Sequence, residues 1–212
     1  GAGREQPPRR SSCGLTLSPS QLHFVTSNPH KAAEVEALLG GRVVHVELSI
    51  PEIQAGSVEE IVRSKLDLAK RSHPAPIAVE DVSLEIESLG GFPGPYVKWL
   101  IEAAGGNGLG MIAAGLSSRR ATARCVVGLW DGTRAHLVQG TVDGEVLTQP
   151  AGDRSFGWDA WFRPDGASGT YGEMTREEKS ERSHRARAWR QLRTILANLE
   201  STVSGAVPGN DR

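Results

Sequence analysis

The stretch Leu22-His23-Phe24-Val25-Thr26-Ser27-Asn28-Pro29-His30-Lys31 decides how this chain is read. Leu22–Val25 has the apolar character of a short strand. Thr26-Ser27 is a polar turn, Asn28 suits a helix N-cap and Pro29 suits the first helical position. The predicted helix runs through Ala32, Val35, Leu38 and Leu39 and stops at Gly40-Gly41. Lys31 falls in its first turn, where the helix dipole disfavours a cation. An anion bound to the free N–H groups of that turn would reverse the conflict, and a strand–loop–helix unit is a common phosphate cradle. The competing reading is an ordinary strand–helix connection with a solvated lysine.

Outward from this unit, strands and helices alternate. A second strand fits Val43–Leu48. A helix fits Ser57–Ser72, opened by the capping box Ser57-Val58-Glu59-Glu60. Ile77–Glu80 is a short apolar strand, and Val82, Leu84 and Ile86 alternate with polar residues as a half-buried strand does. Tyr96–Ala104 and Leu109–Leu116 read as helices. Ala121–Trp130 and Thr133–Gly140 form a hairpin about Asp131-Gly132, and a further turn is expected at Asp143-Gly144. The C-terminal helix spans about Thr175 to Leu199, with Ser183 able to cap a second start. This mixture implies an α/β domain on a mixed sheet. Residues 1–20 read as a disordered leader, 21–200 as the folded domain and 201–212 as a disordered tail.

The 212 residues suffice for one sizeable domain or two small lobes. The formal charge of −1, from 24 basic and 25 acidic residues, argues against a nucleic-acid partner, while a small anion needs only a local cluster of cations. Two cysteines, Cys13 and Cys125, indicate neither a disulfide framework nor a zinc site. No run of 18 apolar residues is present, so no membrane span is expected. The Arg- and Ser-rich start lacks the apolar segment of a secretory signal. A cytoplasmic protein is expected.

Four groups of residues have chemical potential. Lys65 falls within the apolar stripe Val58, Ile61, Val62 and Ala69, so it either snorkels to the edge or meets a buried anion. Glu80-Asp81 ends an apolar strand, and with the loop carboxylate Glu52 these residues could ligate a hard divalent ion or activate water; otherwise they are simply solvated. Phe156-Gly157-Trp158-Asp159-Ala160-Trp161-Phe162 puts two Trp and two Phe into seven residues of a chain that is 5% aromatic. Such a cluster is either a small core under a loop or a stacking platform for a nucleobase. Lys179, Ser183, His184 and Arg185 lie where the C-terminal helix lacks an apolar stripe. They form either a solvated face or a set of donors for a carbonyl on a base.

Taken in order and spacing, these blocks resemble the inosine triphosphate pyrophosphatase family, the non-canonical purine nucleotide pyrophosphatases, and its eukaryotic members above all. The resemblance covers about residues 22–200 and also takes in Pro51-Glu52 and Leu89-Gly90-Gly91-Phe92-Pro93-Gly94-Pro95-Tyr96-Val97-Lys98-Trp99. It implies a two-lobed α/β fold on a long mixed sheet with the site in the cleft between lobes. It implies hydrolysis of ITP, dITP and XTP between the α and β phosphates, a need for Mg²⁺ (or Mn²⁺) and a homodimer. Carried over by position, Thr26, Asn28, Lys31 and Lys65 would hold the triphosphate. Glu52 and Asp81 would position the metal, with Asp81 and Lys65 the catalytic pair. Phe156 would stack on the base, and Gly157, Trp158 and Asp159 would line its pocket. Lys179, Ser183, His184 and Arg185 would read the base edge, and Lys98 would sit near substrate or the dimer interface. Donors facing a 6-keto oxygen would reject the 6-amino group of ATP, because buried donors would stay unpaired. Two departures are Val82, where the family often has Thr or Ser, and Ser27, where Gly is common. A non-catalytic nucleotide-binding module and a Maf-like nucleotide pyrophosphatase are the alternatives.

Overall fold

The opening stretch folds as its local chemistry requires. In a computed structural model that describes residues 22–40 and 43–204, Leu22–Val25 is strand β1 and Pro29–Leu39 is helix α1. The Oδ1 of Asn28 accepts from the backbone N–H groups of His30 (3.0 Å) and Lys31 (3.2 Å). Gly40 closes the helix at φ 65°, a left-handed conformation that suits glycine. This cap corrects one expectation: the first-turn N–H groups meant for an anion are already taken by Asn28.

The remaining elements are β2 (Val43–Val46), α2 (Val58–Ala69), β3 (Ile77–Ile86), β4 (Pro93–Gly94) and α3 (Val97–Ala114). They are followed by β5 (Arg120–Trp130), β6 (Ala135–Val146), β7 (Phe162–Pro164), α4 (Arg176–Arg182) and α5 (His184–Ser204). The seven strands form one sheet in the order β2-β1-β3-β5-β6-β7, with β4 also on β3. β1 runs parallel to β2 and β3, and the other pairings are antiparallel. The expected mixed α/β sheet is therefore present.

Side-chain alternation along β3 and β5 sends the chain's apolar residues to three packing clusters. On one face, Ala78, Val127 and Leu129 pack with Phe24 and Val35 and with Trp189 and Leu192 of α5. Further along, Leu84, Ile86, Ala121 and Ala123 pack with α3 and with Trp158, Trp161 and Phe162. On the opposite face, Ile77, Val79 and Val126 meet Val58, Val62 and Leu66 of α2. Two lobes thus share one long sheet. Between them β3 has an open edge. β1 pairs with β3 only as far as Phe24↔Ala78, and β4 begins at Leu84↔Gly94. Residues 79–83 have β5 on one side and, among the described residues, no strand on the other.

Several boundaries differ from the sequence reading. The two strands expected on either side of Glu80-Asp81 are one continuous strand, because β5 pairs with it throughout. Asp143-Gly144 is no turn; both residues lie inside β6. Gly144 is there because a Cβ would collide with the Arg163 carbonyl and come within 2.7 Å of Phe162 Cζ on β7. The β5–β6 connection is four residues long, not two, since Trp130 pairs with Ala135. Asp131 Oδ1 accepts from the N–H groups of Thr133 (2.7 Å) and Arg134 (2.8 Å), which fixes the longer loop. The helices expected at Tyr96–Ala104 and Leu109–Leu116 are the two parts of α3, broken at Gly105 (φ 65°, ψ 174°). The C-terminal helix breaks at Ser183 and continues to Ser204, so its end overruns the tail expected from 201. The leader 1–20 and residues 205–212 lie outside the described residues. No described helix is long and apolar enough to cross a membrane.

Candidate active site

A cavity of about 350 Å³ opens at the free edge of β3, between the lobes. Its wall takes Thr26, Asn28 and Lys31 from β1–α1, Glu52 from the β2–α2 loop, Lys65 from α2, Glu80 and Asp81 from β3, and Lys98 from α3. The wall also takes Phe156, Gly157, Trp158, Asp159, His184 and Arg185. Two of the expected residues, Lys179 and Ser183, instead line an adjoining cavity of about 210 Å³. Phe156 and Asp159 border both cavities.

Alternation on β3 gives Glu80 and Asp81 opposite faces and different partners. Asp81 meets Lys65, whose Nζ donates to Oδ2 at 2.8 Å, and the Val82 N–H donates to Asp81 Oδ1 at 2.8 Å. The same Lys65 ammonium lies 2.6 Å from Glu52 Oε1. Lys65 therefore pairs with two carboxylates, the half-buried Asp81 and the exposed Glu52, rather than snorkelling, with only 9% of its own surface exposed. Burial alone would lower its pKa, but Asp81 and Glu52 outweigh burial and raise it. It is a firmly held cation, suited to phosphate and not to proton abstraction. Lys98 Nζ stands 3.9 Å from the other Glu52 oxygen, so Glu52 faces cations from both lobes.

Two carboxylates converging on one cation position make a hard-oxygen donor pair. Among the described residues no group of three or more His, Cys, Asp or Glu side chains is gathered to hold a metal. Such a set fits an ion like Mg²⁺, which takes one or two carboxylates and leaves its other positions to water and phosphate.

Elsewhere in the wall, Phe156 presents a half-buried ring with Lys179 Nζ 4.4 Å from its centroid. Lys179 bonds Glu34 (2.7 Å) and forms a short ion pair with Asp159. Burial raises the Asp159 pKa despite that partner. Arg185, 2% exposed, pairs with Glu80 (3.0 Å) and with Glu34. His184 stacks on Trp158 with centroids 5.3 Å apart. Burial, then Arg185 and Lys179, push its pKa well down, so the ring is neutral. Its Nδ1 is buried without a partner among the described residues, a polar atom that a ligand could satisfy. Ser183 Oγ accepts from the Ala186 N–H at 3.1 Å and so caps the start of α5.

The aromatic cluster therefore splits between both readings. Trp158, Trp161 and Phe162 are core, while Phe156 faces the cavities. Sequence reasoning missed Glu34 and gave Glu80 the wrong company. The available signal for Glu34 was its position one turn after Lys31, on the same helix face.

A profile of the Ham1 family matches residues 22–195. The chain belongs to the Ham1 family. It is 40% identical over 186 residues to a protein of Schizosaccharomyces pombe named inosine triphosphate pyrophosphatase, covering 86% of this chain and 97% of that one. It is 38% identical over 179 residues to a dITP/XTP pyrophosphatase of Thermococcus kodakarensis, covering 83% and 97%. Among solved Ham1 structures, that from Coxiella burnetii superposes with a TM-score of 0.72 at 26% identity, covering 84% of this chain and 98% of that one. The Staphylococcus aureus Ham1 protein gives 0.72 at 21% identity over 84% and 99%, which speaks for the fold alone. Ham1 membership over nearly all of the described residues leaves the Maf-like reading without support.

Proposed function

We propose that this chain hydrolyses the non-canonical purine nucleoside triphosphates ITP, dITP and XTP to the monophosphate and pyrophosphate, clearing them from the nucleotide pool. The observation that carries the reading is one cavity whose wall holds both kinds of group such a substrate needs. Lys65 with Glu52 and Asp81 forms an ionic group suited to phosphate and metal, Phe156 with Arg185 over its ring forms an aromatic and cationic group suited to a base, and Lys31 shares Glu80 with Arg185. The names of the Ham1 relatives point the same way.

Thr26 and Asn28 offer side chains, and Lys31 and Lys65 offer charge, to the phosphates. The Thr26 hydroxyl accepts from the Asn28 N–H at 3.1 Å, which leaves its own proton to donate. Asp81 carries the catalytic role: its carboxylate orients the attacking water and takes its proton, while Lys65 stabilises charge on the phosphoryl oxygens. Glu52 and Asp81 would hold Mg²⁺ (Mn²⁺ is an alternative), which when bound supplies Lewis-acid neutralisation of the phosphates. At the base end, Phe156 stacks on the purine, and the donors of Arg185 and Lys179 suit a 6-keto oxygen. A 6-amino group there would set donor against donor. Val82 brings no hydroxyl to the phosphates. A homodimer in the cytoplasm completes the proposal, and sedimentation of the purified chain tests the oligomer.

The deciding assay is pyrophosphate release with Mg²⁺ from ITP, XTP, dITP, GTP, ATP and dTTP. Turnover of the first three is expected to exceed the others by at least about tenfold. Binding without release from any nucleotide would leave only a non-catalytic module.

A further inference from the structure

Glu80 is the one fully enclosed carboxylate of the cavity wall that the proposed chemistry does not use. Its side chain has no exposed surface and points to the face of β3 opposite Asp81. Four donors converge on it. Lys31 Nζ is 3.4 Å from Oε1, and Arg185 Nε is 3.0 Å from Oε1 and 3.3 Å from Oε2. The Trp189 indole N–H donates to Oε2 at 2.7 Å, and the Cys125 thiol lies 3.8 Å from it. Arg185 then reaches back to Glu34 on α1, one turn beyond Lys31. Lys31, Glu80, Arg185 and Glu34 thus close a ring through the backbone of α1. In the proposed reading Lys31 serves the phosphates and Arg185 the base, and both meet on Glu80 Oε1.

We infer that Glu80 is a positioning residue joining the two ends of the substrate site: it fixes the donor direction of Arg185 at the base and draws off part of the charge of Lys31 at the phosphates. The inference rests on the proposed triphosphate pyrophosphatase reading and deepens it. A guanidinium pinned at Nε by Glu80 and at Nη1 by Glu34 cannot turn to suit a different base edge. With Glu80 neutral, Arg185 keeps Glu34 as its one carboxylate partner among the described residues and loses the charge-assisted bond at Nε, so base reading loosens. Lys31 meanwhile loses its competing anion, so the phosphates bind at least as well as before. The two ends should therefore respond in opposite directions, which a loss of packing would not produce.

The test begins with wild-type turnover of ITP; its absence would sink the underlying reading and not this one in particular. In Glu80→Gln, the ratio of kcat/KM for ITP over ATP is expected to fall by about tenfold. Inorganic tripolyphosphate should inhibit that variant at the same or a lower concentration than it inhibits wild type. Should Glu80→Gln fail to fold, Glu80→Asp keeps the charge but shortens its reach, and the same loss of selectivity is expected. An unchanged ratio in a folded variant would overturn the inference. So would an equal weakening of ITP, ATP and tripolyphosphate, since that marks a merely structural role. A fall in kcat shared by ITP and ATP at unchanged KM would do so too, because it would make Glu80 part of the reaction.

Discussion

Lys65 satisfies two carboxylates at once, and that arrangement sets the logic of its neighbours. Glu52 and Asp81 would repel each other without it; a buried cation between them makes their approach favourable. Asp81→Asn would keep the shape and remove the charge that orients water. Turnover of ITP should become undetectable while a non-hydrolysable ITP analogue still binds, as calorimetry would show; unchanged turnover would remove Asp81 from the mechanism. Phe156→Ala should raise KM for ITP with little change in the inhibition constant of tripolyphosphate, because base stacking is worth roughly 1–3 kcal/mol. At this scale the sequence told much about residues that act locally. Asn28 as a cap and Lys65 as an interruption of an apolar stripe need only their neighbours along the chain. Glu80 with Arg185, and Glu34 with Lys179, are separated by 105 and 145 positions. No periodicity spans such a distance, so these pairs became visible only once the sheet was assembled.

Among elements, the long strands were harder to read than the helices. Helices α1, α2 and α4 carry their own punctuation: Asn28, Ser57 and the reciprocal capping box of Thr175 and Glu178. Strand β6 carries Asp143-Gly144, a pair that promises a turn in isolation. The glycine is required instead by β7, whose backbone leaves no space for a Cβ. Gly144→Ala should therefore push β7 from the sheet and cost roughly 1–3 kcal/mol, seen as a lowered Tm. An unchanged Tm would mean that β7 can move aside freely. Likewise, Glu80-Asp81 looked like a strand end because two charges interrupt apolar residues. In the sheet they mark the place where one lobe gives way to the other along a single strand.

Over the whole molecule, the buried ionic network links stability to pH. Burial would raise the Glu80 pKa, but Arg185 and Lys31, with the Trp189 bond, hold it down to about 2 against an ordinary 4.5. A depressed carboxyl contributes its stability fully above the ordinary value and loses it as pH falls through the folded one. Denaturant midpoints should therefore be level near neutrality and fall steeply between about pH 4.5 and 2. In a folded Glu80→Gln protein the fall over that range should be shallower. A wild-type midpoint that stays flat to pH 3 would contradict the pairing.

The interrupted pairing of β3 has a consequence beyond substrate binding. A strand with one unpaired side is a template on which a foreign chain can add itself, the first step of edge-to-edge aggregation. The open run at 79–83 is short, it carries two charges, and Asp81 folds its own carboxylate onto the N–H of Val82. The aspartate expected to work on water thus also blocks a vacant hydrogen-bond position. Selection for solubility and selection for catalysis would then favour the same carboxylate.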